Sequence, residues 1–154
     1  MEKQSIQDRY APQNACFGCG PANPDGLRIK SFAEGDDFVA DFTPEKHHEA
    51  FEGVLSGGII GTLLDCHMNW AAAFHLMELN CLDAPPCTVT AEYTVKMERP
   101  TPTDGPLHLT AWVKKSNPER AVVAATIEAK GEVTARGEGT FVAVKEGHPA
   151  YNRW

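Results

Sequence analysis

Residues 56–80, SGGIIGTLLDCHMNWAAAFHLMELN, decide the fold. The stretch contains no proline, is mostly apolar or small, and is too long for one strand. As a helix it runs roughly 35 Å at about 1.5 Å per residue. Ser56 is a suitable N-cap, and paired glycines follow it. Apolar residues occur nearly all round this helix, which predicts burial on most of its sides.

Beyond Asp83-Ala84-Pro85-Pro86 the hydrophobic period changes to two. Residues 88–100, 106–115, 120–129 and 132–144 read as four consecutive strands, joined by the turn segments PTPTDG, SNPE and KG. Upstream, LRIKSF (27–32) and DFVADF (37–42) alternate apolar and polar residues around Gly35-Asp36, as two strands of a hairpin do. Residues 1–26 and the tail after Val144 read as irregular. The expectation is one α+β domain over 1–154, an antiparallel sheet wrapped on a long central helix. Such a sheet covers only part of a helix that is apolar all round, so a second copy is expected on the remaining face, making a homodimer.

The chain has 154 residues, 42% apolar and 23% charged, which is globular rather than disordered composition. No run approaches the roughly 20 apolar residues of a membrane span. The polar opening MEKQSIQDRYAPQN lacks the apolar middle of a signal peptide, so a cytoplasmic location with no membrane partner is expected. Five cysteines, an odd and scattered number, argue for reduced thiols. A formal charge of −7 argues against nucleic acid as a partner.

Asp65 is the anomaly of the helix. It follows Ile59-Ile60 and Leu63-Leu64, where an ionised carboxylate is expensive to bury unless paired or solvated. Its helical neighbours Gly61, Thr62, Met68 and Asn69 are mostly small or polar and leave room for a ligand or a second chain. The plainer alternative is a structural aspartate bonded to Thr62 or Asn69. Gly57 and Gly58 open the same helix, where first-turn amides lack intrahelical partners and the dipole favours negative charge. A thioester carbonyl placed there would have its oxyanion stabilised; tight helix packing is the alternative.

His48, in the loop before the helix, either touches substrate, braces the loop or is simply solvated, and His47 is a surface residue. His67 and His75 are core or interface residues, with no ligand spacing that makes a metal site. Cys16-Phe17-Gly18-Cys19 has the two-residue gap of zinc knuckles and redox motifs. No second such pair follows, so no metal is expected. Lys96 and Arg99 end the first long strand, and Lys114, Lys115 and Arg120 flank a later turn. They are candidate phosphate-binding cations or ordinary solvated strand ends. No phosphate-binding glycine loop and no GxSxG elbow is present.

CFGCGPANPDGLRIKSF, HEAFEGVLSGGIIGTLLD and VTAEYTVKMERPTP together resemble the hotdog-fold acyl-CoA thioesterases, nearest the phenylacetate-degradation and thioesterase-superfamily-member branch. The matching segments span residues 16–102 in order. The resemblance implies a double-hotdog dimer, often a homotetramer, with active sites at the dimer interface. It also implies an acyl-CoA substrate and no cofactor other than the CoA that the substrate carries. The family's HGG…D motif falls on Ser56-Gly57-Gly58 and Asp65. Asp65 is then the general base or nucleophile, Gly57 the oxyanion donor, and Thr90 the hydroxyl that positions water, while His48 matches a loop histidine. Gly58, Ser56, Asn69, Arg99 and Lys96 are the expected substrate contacts. Two departures stand out: the motif histidine is Ser56, and a substrate-polarising asparagine of one relative falls near Ala50. Two rival functions follow from the same residues. One is an enoyl-CoA hydratase pairing His48 with Asp65; the other is a non-catalytic module that binds acyl-CoA or aromatic ligands.

Overall fold

Gly57 to Leu79 form one helix of 23 residues, α2, with Ser56 at its N-cap, in a computed structural model that describes residues 2–154. Ahead of it come a short helix α1 (Ile6–Tyr10), strands β1 (Phe32–Glu34) and β2 (Asp37–Phe42), and a 3-10 turn at Lys46–His48. A small hairpin of β3 (Glu49–Phe51) and β4 (Val54–Leu55) leads into α2. After it run β5 (Thr88–Met97), β6 (Leu107–Asn117), β7 (Arg120–Ala129) and β8 (Glu132–Ala143). The main sheet is six-stranded and antiparallel in the order β1-β2-β6-β7-β8-β5, which leaves β5 at an edge. No helix is long and apolar enough to cross a membrane, among the described residues.

The alternation seen in sequence places one side of each long strand on α2. Leu107, Leu109 and Ala111 of β6, Val123, Ala125 and Ile127 of β7, and Phe141 of β8 are all buried. They enclose Leu63, Leu64, Met68, Ala72 and Leu76 of the helix, none more than 1% exposed. The face of α2 turned from the sheet is covered within the chain: Trp70 stacks on Trp154 at 4.5 Å and lies over Cys19 of the N-terminal segment.

Three expectations are corrected. The far face of the middle of α2, where a second copy was expected, is closed by the chain's own N-terminal segment and C-terminal tail. Residues 27–31 are not a sheet strand; β1 starts only at Phe32. Their alternation is real, with Leu27, Ile29 and Ser31 buried, but their partners are loops: the Leu27 and Ile29 amides donate to Phe17 and Gly18, and Ser31 accepts from Ile6. Arg28 at φ 51° interrupts the extended run. Residues 1–26, read as irregular, contain α1, capped by the Ser5 side chain and docked through buried Ile6 and Gln7.

That docking runs through a buried polar chain. Gln7 Nε2 donates to Ser31 Oγ at 2.8 Å, and Ser31 Oγ lies 2.8 Å from His67 Nδ1. His67 Nε2 lies 2.9 Å from the Phe38 carbonyl, which can only accept, so Nε2 carries the proton and Nδ1 accepts from Ser31. Burial pushes His67 down from 6.5 to about 4, against the opposing pull of the Phe38 carbonyl. The unfolded state therefore binds a proton below pH 6.5 that the folded state refuses until about pH 4. The contribution of His67 to stability is constant above this window and falls by about 3 kcal/mol across it as pH drops. Urea denaturation between pH 7 and 4 tests this: His67→Gln should flatten the slope, and an unchanged slope would remove His67 as its source.

Candidate functional site

Asp65 Oδ1 accepts a hydrogen bond of 2.6 Å from Thr90 Oγ1 on β5. Neither partner expected for a merely structural role is used. Thr62 Oγ1 donates instead to the Gly58 carbonyl, and Asn69 Oδ1 accepts from Thr88 at 2.8 Å. The contact belongs to a seam in which four helix positions, each one turn apart, face β5. Asn69 meets Thr88, Asp65 meets Thr90, Gly61 faces the Tyr93 hydroxyl, and Gly57 faces the Met97 methyl. A bulge between Thr90 and Glu92 adds the extra residue that keeps Tyr93 and Met97 on the helix side. Glycines and short polar residues line this seam, so helix and edge strand meet without greasy packing.

Asp65 is part-exposed at a cavity of about 140 Å³ lined by Cys16, Cys19, Cys66, Asn69, Thr90 and Arg153, among others. Burial raises the Asp65 carboxyl above the usual carboxylate range. The Thr90 hydrogen bond and the Arg153 charge pull it down, and Cys16 adds to the rise. Arg153 is a residue that sequence reading missed. The tail carried no pattern, yet its guanidinium donates to the Thr88 carbonyl at 2.9 Å and stacks on Trp154.

Three thiols border the same cavity. The Sγ atoms of Cys16, Cys19 and Cys66 lie within 4.8 Å of one another, Cys16 to Cys66 at 3.9 Å. Cys19 and Cys66 thiols, with the Cys19 and Gly18 amides, donate to Cys16 and hold it well below the usual thiol range. Hydrogen bonding to Cys16, with burial, pushes Cys19 up to about 12 and raises Cys66 well above its ordinary value. Close approach depends on Gly18, where an added Cβ would sit 2.3 Å from Cys66 Sγ.

The start of α2 presents the other candidate group. Ser56 does not cap with its side chain, and the first intrahelical bond is Ile60 N–H to the Ser56 carbonyl at 3.1 Å. Gly57 and Gly58 are exposed there. His48 is buried rather than solvated: its Nδ1 accepts from the Glu45 amide at 2.9 Å and its carbonyl accepts from the Ser56 amide at 3.0 Å. The imidazole borders a different cavity, beside His47 and Phe42, and not the one at Asp65. Arg99 is exposed and paired with Glu132 at 3.0 Å, and Lys96 lies beside Arg136 at a cleft bounded by strands β5 to β8. The fold thus gathers Asp65, Thr90 and Asn69, sets Ser56, Gly57 and Gly58 together about two helical turns away, and leaves His48, Lys96 and Arg99 apart from both.

No family model and no curated protein matches the chain. Solved structures do. A thioesterase superfamily protein from Shewanella loihica shares 28% identity and a TM-score of 0.66 over 81% of this chain and 98% of its own. The PaaI protein from the phenylacetic acid degradation operon of E. coli shares 18% identity, TM-score 0.63, over 77% of this chain and 81% of its own. Zebrafish thioesterase superfamily member 2 shares 19% identity, TM-score 0.64, over 80% and 90%. The architecture is therefore hotdog-like: a long helix packed on a six-stranded antiparallel sheet, with thioesterase-superfamily proteins as its structural neighbours.

Gly18→Ala should destabilise the protein by about 1–3 kcal/mol in urea denaturation, because the new methyl group overlaps Cys66 and Thr62. Gly105→Ala, with nothing within 4 Å, should change stability by less than about 0.5 kcal/mol. Equal effects would contradict the close packing at Gly18.

Proposed function

We propose that this protein hydrolyses acyl-CoA thioesters at a site shared by two copies of the chain. The observation that carries the reading is the Asp65 carboxylate, held by Thr90 at the edge of a cavity on a mostly buried helix. Asp65 takes a proton from water as the water oxygen attacks the thioester carbonyl. The tetrahedral oxyanion rests on the Gly57 amide, with Gly58 beside it. Collapse breaks the C–S bond, and the CoA thiolate leaves and takes up a proton, giving free acid and CoA. Direct attack by the carboxylate, followed by hydrolysis of the anhydride, uses the same groups. A thiolate leaves readily, so this small apparatus suffices without the motif histidine that Ser56 replaces.

Within one chain Gly57 and Asp65 are separated by roughly 12 Å along the helix axis, too far for one carbonyl carbon to meet both. A second copy supplies the missing half. β5 is an edge strand whose residues Ala91 to Thr94 are exposed, with Tyr93 39% and Met97 50% exposed beside the helix start. Pairing there makes a homodimer and brings the Gly57 end of one helix toward Asp65 of the other. A homotetramer would add a contact elsewhere. His48 acts as a positioning residue: its carbonyl fixes the Ser56 amide and so sets the start of α2. That geometry favours hydrolysis over the hydratase reading, which needs the imidazole at the reacting carbon. Ser56 and Asn69 flank the thioester, and Lys96 and Arg99 are the cations assigned to the CoA phosphates.

Steady-state assays on short, medium and aromatic acyl-CoAs test the reading. Asp65→Asn should lower kcat by about 10²–10⁴. Thr90→Val, which removes one hydrogen bond to a charged group, should lower it roughly ten- to a hundredfold. Gly57→Pro removes the amide proton yet suits the first helical position, and should lower kcat by about 10²–10³ with little loss of stability. Turnover in Asp65→Asn equal to wild type would refute the assignment, and binding without turnover on every thioester would favour the non-catalytic module.

A further inference from the structure

We propose that Cys16, Cys19 and Cys66 hold a zinc ion whose fourth position opens on the cavity that Asp65 borders. The inference is independent of the hydrolase reading. Sequence spacing supplies only two ligands; folding supplies the third from α2, a helix otherwise remote in the chain.

The thiols have the separations a zinc ion requires. Zinc–sulfur bonds of about 2.3 Å in tetrahedral arrangement set the sulfurs roughly 3.8 Å apart. Cys16 and Cys66 already stand at 3.9 Å, and no separation in the triangle exceeds 4.8 Å. The loop that carries the first two ligands turns back on itself: the Gly20 amide donates to the Cys16 carbonyl at 2.9 Å. A Cβ at Gly20 would fall 2.3 Å from the Cys16 nitrogen, and one at Gly18 would fall 2.3 Å from Cys66 Sγ. Both glycines are therefore needed to bring two thiols of one loop onto a third.

The surroundings suit bound thiolates. Trp70 Nε1–H donates to Cys19 Sγ at 3.2 Å, a donor with no other use in the core. The Arg153 side chain borders the same cavity and offsets the net negative charge that three thiolates leave on a divalent cation. Ordinary apolar packing would explain a lone buried cysteine, not two buried and one half-buried whose sulfurs converge. A disulfide would use two of them and strand the third. Zinc satisfies all three at once and fastens the N-terminal loop to α2.

The test uses the full chain, reduced and stripped of metal, titrated with Zn²⁺ or Co²⁺. About one ion per chain should bind, and the Co²⁺ form should show the intense near-ultraviolet band of thiolate-to-cobalt charge transfer. Thermal melting of the zinc-loaded protein should fall on chelation. Cys16→Ser and Cys66→Ser should lose the ion and the band, while Cys81→Ser, at an exposed position, keeps both. Cys16 is only part-buried, so its variant remains informative if Cys66→Ser fails to fold. Failure of the wild-type chain to bind either ion, retention of zinc by Cys16→Ser, or a disulfide among these thiols in protein purified without metal would each overturn the proposal.

Discussion

The hydrogen bond between Thr90 and Asp65 joins the long helix to the edge of the sheet along a seam whose packing is not apolar. A carboxylate in the middle of an apolar helix is tolerable only with a partner and some access to solvent. The seam with β5 supplies the partner, Thr90, and the cavity bordered by Cys16, Cys66 and Arg153 supplies the access. The proposed chemistry depends on that position.

The opposite side of the same carboxylate is built from the chain ends. Residues 14–29 lie across α2 through the Gly18 and Cys19 contacts, and the C-terminal Arg153 and Trp154 close the remaining gap over Thr88 and Trp70. The Gln7–Ser31–His67 chain locks the first segment to both the helix and β2. One wall of the cavity, with Cys16, Cys19 and Arg153, is therefore set by segments with no regular secondary structure. Such segments hold their place through specific polar contacts rather than through a period.

This explains what sequence could and could not show. The helix over 56–80 and the strands after residue 88 were legible within a few residues, because burial imposes a period of its own on each. Residues 27–31 misled for the same reason: their alternation records real burial, and a period cannot say whether the covering partner is a strand or a loop. Asp65 and Thr90 were legible as a pair only through the family resemblance, since nothing local connects a helix position to a strand position after it. Arg153 carried no signal at all, being one charge in an irregular tail. Cys66 escaped for a related reason, as ligand spacing along the chain says nothing about a third thiol supplied by another element.

The claim on which the function rests is that each site takes its carboxylate from one chain and its oxyanion donor from another. Mixing two inactive variants, Asp65→Asn and Gly57→Pro, under conditions that let subunits exchange measures this directly. In a two-fold dimer half of the molecules become mixed, and each holds one intact site, so activity should return to about a quarter of the wild-type value. If the mixture stays as inactive as its components although exchange is shown by mass, both groups act within one chain or not at all, and the shared site is wrong.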